Sequence, residues 1–249
     1  MKRLFASIRR SLLEGNQSGK YLKYALGEIV LVMIGILLAL QVNNWNEERK
    51  EKRQGALLKE NLHREFTQNQ RLLDTILQLN QKAFEANRAL LDLVGSDAAG
   101  LARHNLDSLF YYALIAESFL PSKNTVDDAL RSGQMDLIRD DTLKNTLLHW
   151  GTQLDLIQTY KAIQNDWQNQ QLIPLMNRYV SLRQTDRYGS KPWAGPSRVS
   201  FSYEPIFQLL EFENIVDNNL YILQFLIERL QEIQATQEEV LTRTGTPEG

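Results

Sequence analysis

Hydrophobic positions fall into three long patterns along the chain. The first is nearly unbroken: from Ala25 to Leu40 the only charged residue is Glu28. With Tyr24 before it and Gln41-Val42 after it, the run predicts a helix over residues 24–42. At ~1.5 Å per residue, that length just crosses a hydrocarbon core of ~30 Å. The second pattern is a 3–4 repeat: Phe66, Asn69, Leu73, Ile76, Asn80, Ala83, Asn87, Leu90 and Val94, with Leu58 and Leu62 extending it upstream. No glycine falls between Gly55 and Gly95, and no proline. Residues 57–94 therefore read as one helix, ending at Val94-Gly95-Ser96. The third pattern is Phe212, Val216, Asn219, Leu223, Leu226, Leu230, Ile233 and Val240.

The two amphipathic stripes, 66–94 and 212–240, have equal length. They are expected to bury each other as an antiparallel hairpin, with Phe66 near Val240 and Val94 near Phe212. The rival arrangement is a parallel homodimer of coiled-coil type. Asn on the seam counts against a plain leucine zipper, although one polar seam residue can set register.

Shorter elements lie between the stripes. A helix is expected over Asn105–Phe119, capped by His104 or Asn105. Pro121 to Asn124 reads as a turn, and Thr125 with Asp128 as a weak capping box opening a short helix that stops near Gly133. Asp140 or Asp141 then caps a helix with the stripe Leu143, Leu147, Trp150, Leu154, Ile157, Tyr160 and Trp167. Pro174 should kink or restart it. Residues 184–200, with Gly189, Pro192, Gly195 and Pro196, are the clearest loop. The only period-two stretch, Val199 to Tyr203, is too short to argue for a sheet. The predicted class is all-α: one N-terminal transmembrane helix followed by a helical-bundle or long-hairpin soluble domain.

Charge sharpens the membrane reading. Residues 1–24 carry six basic groups (Lys2, Arg3, Arg9, Arg10, Lys20, Lys23) against Glu14, whereas residues 43–249 carry 22 basic and 28 acidic groups. A basic tail suits an anionic leaflet, and an acidic domain argues against nucleic acid as partner. Leu4, Phe5, Ile8 and Leu12 recur at helical spacing, the pattern of an interfacial amphipathic helix. Tyr21, Tyr24 and Trp45 flank the apolar run as interfacial aromatics do. The competing readings are a buried core helix and a cleaved signal peptide; no small-x-small cleavage site follows the run. The division expected is a basic cytoplasmic tail (1–23), a transmembrane signal anchor (24–42) and an extracytoplasmic helical domain (43–249). The chain would then sit in a bacterial inner membrane with its C-terminal domain in the periplasm.

Glu28, Gly35 and Ala39 lie close to one helical face, and Gly35–Ala39 is a small-xxx-small pair. They and Trp45 are candidates for membrane packing or the interface. Glu28 admits a blander reading, a carboxylate one turn inside Tyr24 that reaches headgroup water or Lys20 or Lys23.

Candidate chemistry is sparse. The chain has no cysteine, which excludes thiol catalysis, disulfides and cysteine-held metals. His63, His104 and His149 fall on separate elements with no metal-binding spacing. No nucleotide-binding or nucleophile-elbow motif occurs. No cofactor, metal or catalytic residue is expected. Asp128, Ser132, Gly133 and Asp136 are candidates for a partner or ligand loop; the plainer role for this segment is a corner that docks Leu137 and Ile138 into the core.

The stretch Lys20-Tyr21-Leu22-Lys23-Tyr24-Ala25-Leu26-Gly27-Glu28-Ile29, continued by Ile34-Gly35-Ile36-Leu37 and Asn43-Asn44-Trp45-Asn46, resembles the N-terminal signature of the DUF6090 proteins of Bacteroidota. Leu130-Arg131-Ser132-Gly133-Gln134-Met135-Asp136-Leu137-Ile138 resembles a second segment of that family. The resemblance implies a bacterial single-pass membrane protein; it brings no known activity. The function expected is a membrane-anchored interaction or sensor-like module that meets a protein partner or self-associates beside the lipid bilayer. The tail is too short for an output domain, so an inward signal would pass through a partner. The alternative is a membrane-tethered enzyme with an unrecognised His/Asp site, which a deep polar pocket would favour.

Overall fold

The computed structural model describes residues 18–115, 117–189 and 191–245, with side chains from Leu22 onward. The amphipathic pattern of Leu4 to Leu12 lies outside the described residues. Every regular element among the described residues is helical. The chain divides into two compact units, Met1–Ala56 and Leu57–Gly249.

Helix α1, Ser18–Asp92, contains glycine but no proline, so nothing in it removes a backbone donor. In the first unit, none of the apolar eighteen-residue window of this helix is buried. Leu31 is 67 % exposed and Leu38 61 %. In the second unit the same helix carries a buried stripe, Leu58, Leu62, Phe66, Leu73, Ile76, Ala83 and Leu90. The helix ends where Gly95 takes a left-handed φ of 81°, the usual conformation for a residue just past a C-terminus. The Gly95 N–H is bound by the Phe207 carbonyl at 2.8 Å.

Short helices follow: α2 (Ala98–Leu101), α3 (Leu106–Ala113) and α4 (Asn124–Ser132). Next comes α5 (Asp141–Trp167), N-capped by Asp140, which accepts from the Leu143 N–H. A π-helical turn, Gln168–Leu172, carries α5 into α6 (Ile173–Tyr179). The chain stays helical through Leu172 and Ile173, so Pro174 sits just past the π-turn, whose altered hydrogen bonding accommodates the ring and the missing N–H. The Ile173 N–H reaches the Gln168 carbonyl, five residues back. Then come α7 (Leu182–Thr185), α8 (Glu204–Phe207) and α9 (Leu210–Thr244).

Within the second unit α1 and α9 run antiparallel. His63 Nδ1 lies 3.2 Å from Thr244 Oγ1, Gln234 donates to Asp74 at 2.9 Å, and Asn219 donates to Asn87 at 2.9 Å. Partner numbers rise on α1 as they fall on α9, as the hairpin expectation required. Helix α5 also runs antiparallel to α9, with Arg243 paired to Asp140 at 3.2 Å and Trp167 donating to the Ile215 carbonyl. Two apolar clusters form the core. One gathers Leu58, Leu62, Phe66, Trp150 and Val240; the other gathers Leu90, Phe110, Phe207, Phe212 and Val216. Phe66 and Trp150 meet at 4.7 Å between ring centroids.

Two local expectations are corrected. The helix begun at Asn105 stops at Ala113 instead of running to Phe119. The chain beyond it is drawn out along α1 by asparagine side chains. Asn87 donates to the Ala113 carbonyl, Asn80 to that of Glu117, and Asn69 exchanges two hydrogen bonds with the Ser122 backbone. These amides replace the helical bonds that a longer α3 would have made. Thr125 and Asp128 form no capping box either. The Thr125 N–H and hydroxyl both donate to the Glu65 carboxylate on α1, so the start of α4 is satisfied from sixty residues away.

Candidate functional site

Glu28, Gly35, Ala39 and Trp45 all lie on the exposed part of α1, with Trp45 64 % exposed. A Cβ built on Gly35 would meet nothing within 4 Å, so this glycine is open to a partner helix or to lipid.

The segment around Asp128 is a helix end. Asp128 pairs with Arg131 at 3.1 Å on the surface, and the Ser132 hydroxyl donates to the Asp128 carbonyl. Gly133 turns the chain at a φ of 72°. A 3-10 turn, Gln134–Leu137, holds exposed Asp136 and delivers Ile138 fully into the core. Asp128, Ser132, Gly133 and Asp136 share an exposed stretch.

The structure instead builds a cleft at α2, α3 and the segment 197–204. Its volume is about 570 Å³, and His104, Asp107, Gln184, Phe201, Tyr203 and Glu204 are among the residues lining it. Asp107, in the first turn of α3, accepts both from the Gln184 amide, at 3.0 and 3.1 Å, and from the Tyr203 hydroxyl. Burial, reinforced by the Asp107 carboxylate, pushes the Tyr203 phenol well above its usual range, so it stays a donor. Gln184 in turn accepts from the Ser197 N–H at 3.2 Å. Tyr203 stacks on Phe110 at 5.4 Å. Behind the cleft, Arg183 donates to the Trp193 and Pro196 carbonyls and ties down the long loop. Gly189 packs so closely on the Tyr111 ring that a Cβ would lie 2.6 Å from its hydroxyl.

A second polar feature crosses the bundle interior. Asn80, Asn87, Asn219 and Gln164 are fully buried, and Lys161 is 5 % exposed. Lys161 donates to Gln164 at 2.7 Å. Burial pulls its pKa from 10.5 down to about 8, partly opposed by the Glu117 charge. The Trp167–Ile215 bond and the Tyr160–Phe225 stack bracket this stretch of α5 against α9.

Of these residues the sequence signalled only the seam asparagines and the isolated His104. Asp107, Gln184, Tyr203 and Glu204 belong to no motif, and Lys161 looked like one more charge on a helix. A lysine on the same helical face as Leu154 and Ile157 was the one available cue. Among the described residues no group of three His, Asp or Glu side chains converges to hold a metal ion.

Taken together, the described residues make an all-α protein in which one helix is long and apolar enough to cross a membrane, and which includes a helical unit with its own core. Residues 28–98 match the model of DUF6090, a family of unknown function. The match takes in Glu28 and Asn43-Asn44-Trp45 and leaves the 130–138 stretch outside it. No curated protein and no solved structure matches the chain.

Proposed function

We propose that this chain is a single-pass membrane protein, anchored by residues 24–42, whose helical domain serves as an interaction or sensor-like module outside the inner membrane. The observation that carries the reading is the complete exposure of the apolar window of α1. Other long apolar stripes of the chain are buried against each other. Leaving so many Leu, Ile and Val side chains in water would forgo roughly 1.5–3 kcal/mol apiece, and lipid is the cover that suits a segment of this length. Tyr24 and Trp45 at its two ends support an interfacial placement. The basic excess before the span, against the acidic domain after it, supports a cytoplasmic tail.

The enzyme alternative asked for His and Asp in one deep pocket. His104 and Asp107 do line one cleft, but Asp107 spends its carboxylate on Gln184 and Tyr203, which favours binding over general-base chemistry. Membrane extraction tests the anchor. The native chain should resist alkaline carbonate. Ile34→Arg, at ~2.5–3.5 kcal/mol of insertion free energy, should release it. A variant retained as well as the native chain would mean that the segment is no span. A reporter active only in the periplasm, fused after Gly249, reads the orientation; silence there would reverse it.

A further inference from the structure

We propose that the cleft between α2–α3 and residues 197–204 binds a small organic cation: a protonated amine on a short apolar body. It is an open cleft, and its volume of about 570 Å³ falls in the ~300–1,000 Å³ range of small-molecule sites. The frame is set in advance. Tyr203 and Gln184 are both locked onto Asp107, and Gln184 holds the Ser197 backbone, so a ligand need not order the wall that receives it.

Inside this frame some groups remain unspent. No hydrogen bond or ion pair among the described residues engages the Glu204 carboxylate. Phe201, T-shaped against Tyr203 at 5.0 Å, is still 36 % exposed. The lining includes Asp107 and Glu204 and neither lysine nor arginine. Two carboxylates in one partly desolvated cleft favour a cation and repel an anion. An aromatic face beside them suits an ammonium through cation–π attraction and receives the apolar body that carries it. A neutral polyol would find acceptors here but would leave that charge uncompensated.

The test uses the full chain in detergent micelles, titrated calorimetrically with three probes of one shape: 2-phenylethylamine, 2-phenylethanol and 3-phenylpropionate. Titrations into protein-free micelles are subtracted. The amine should bind at least ~10-fold more tightly than the alcohol, the carboxylate most weakly, and added salt should shrink the difference. Glu204→Gln should cut the preference for the amine at least several-fold, leaving only what Asp107 and the ring supply, while the thermal melt stays unchanged, because that side chain holds no partner. Phe201→Ala should weaken amine and alcohol alike. Equal binding of amine and alcohol would overturn the proposal. So would a preference undiminished by Glu204→Gln, or no heat from the amine up to ~10 mM. Binding in micelles is read independently of membrane insertion, so its failure leaves the anchor to stand or fall by extraction alone.

Discussion

The side-chain amide of Asn219 donates to Oδ1 of Asn87 at 2.9 Å, joining the two longest helices of the domain through a pair of fully buried asparagines. Asn87 also donates to the Ala83 carbonyl on its own helix and to the Ala113 carbonyl at the end of α3. One amide therefore sets the register of α1 against α9 and the point where α3 must stop.

Replacing Asn87 by Leu should cost about 2–4 kcal/mol, because it strips a donor from the Ala113 carbonyl and strands the Asn219 amide in a buried site. Adding Asn219→Leu should recover part of that loss, since both members of the pair are then apolar. Urea titrations of the two single variants and the double variant measure the coupling. Strict additivity would show that the pair does not act as a unit.

Glu65 acts at a distance as the cap of α4. Glu65→Ala should destabilise the domain by about 1–2 kcal/mol by leaving the Thr125 N–H and hydroxyl without their acceptor. Hydrogen exchange should then quicken at the start of α4 before it does in α1 or α9. Unchanged protection at Thr125 would count against the assignment.

Lys161 makes stability depend on pH in a defined direction. Its folded pKa of about 8 lies below its ordinary value of 10.5. Between the two, the unfolded chain holds a proton that the folded chain has released, so this group adds stability as pH rises through that window. The penalty is complete below about 8. Lys161→Met should remove the slope that this residue contributes and raise stability at neutral pH by ~1–3 kcal/mol. The difference between native and variant melts from pH 7 to 10.5 isolates the group; a constant difference would refute it.

The hairpin can be locked without disturbing the core. His63 and Thr244 touch at 3.2 Å, and the chain has no native cysteine. His63→Cys with Thr244→Cys should form an intramolecular disulfide on oxidation, and the product should run as a compact monomer on a non-reducing gel. Covalent dimers from His63→Cys alone, with no intramolecular product from the pair, would instead favour the parallel homodimer.

Periodicity alone determined most of the architecture. The apolar run from Ala25 to Leu40, interrupted only by the charge of Glu28, could be read without neighbours, since length and apolarity are properties of the segment itself. The stripes from Phe66 and Phe212 predicted their own hairpin, because a 3–4 repeat says which face must be covered and equal lengths say what can cover it. Terminal signals held where the partner is local: Gly95 past α1, Asp140 capping α5, Pro174 in the first turn of α6. They failed where the partner is distant. Thr125 is bound by Glu65, and the stretch after Ala113 is paid out along Asn80 and Asn69, because a hydrogen bond across the fold competes with the helical one and leaves no spacing to read. The cleft belongs wholly to the tertiary structure. Asp107, Gln184 and the neighbours Tyr203 and Glu204 come from three separate stretches of chain, and only the packing of residues 197–204 beside α3 brings their charges and hydroxyls to one place.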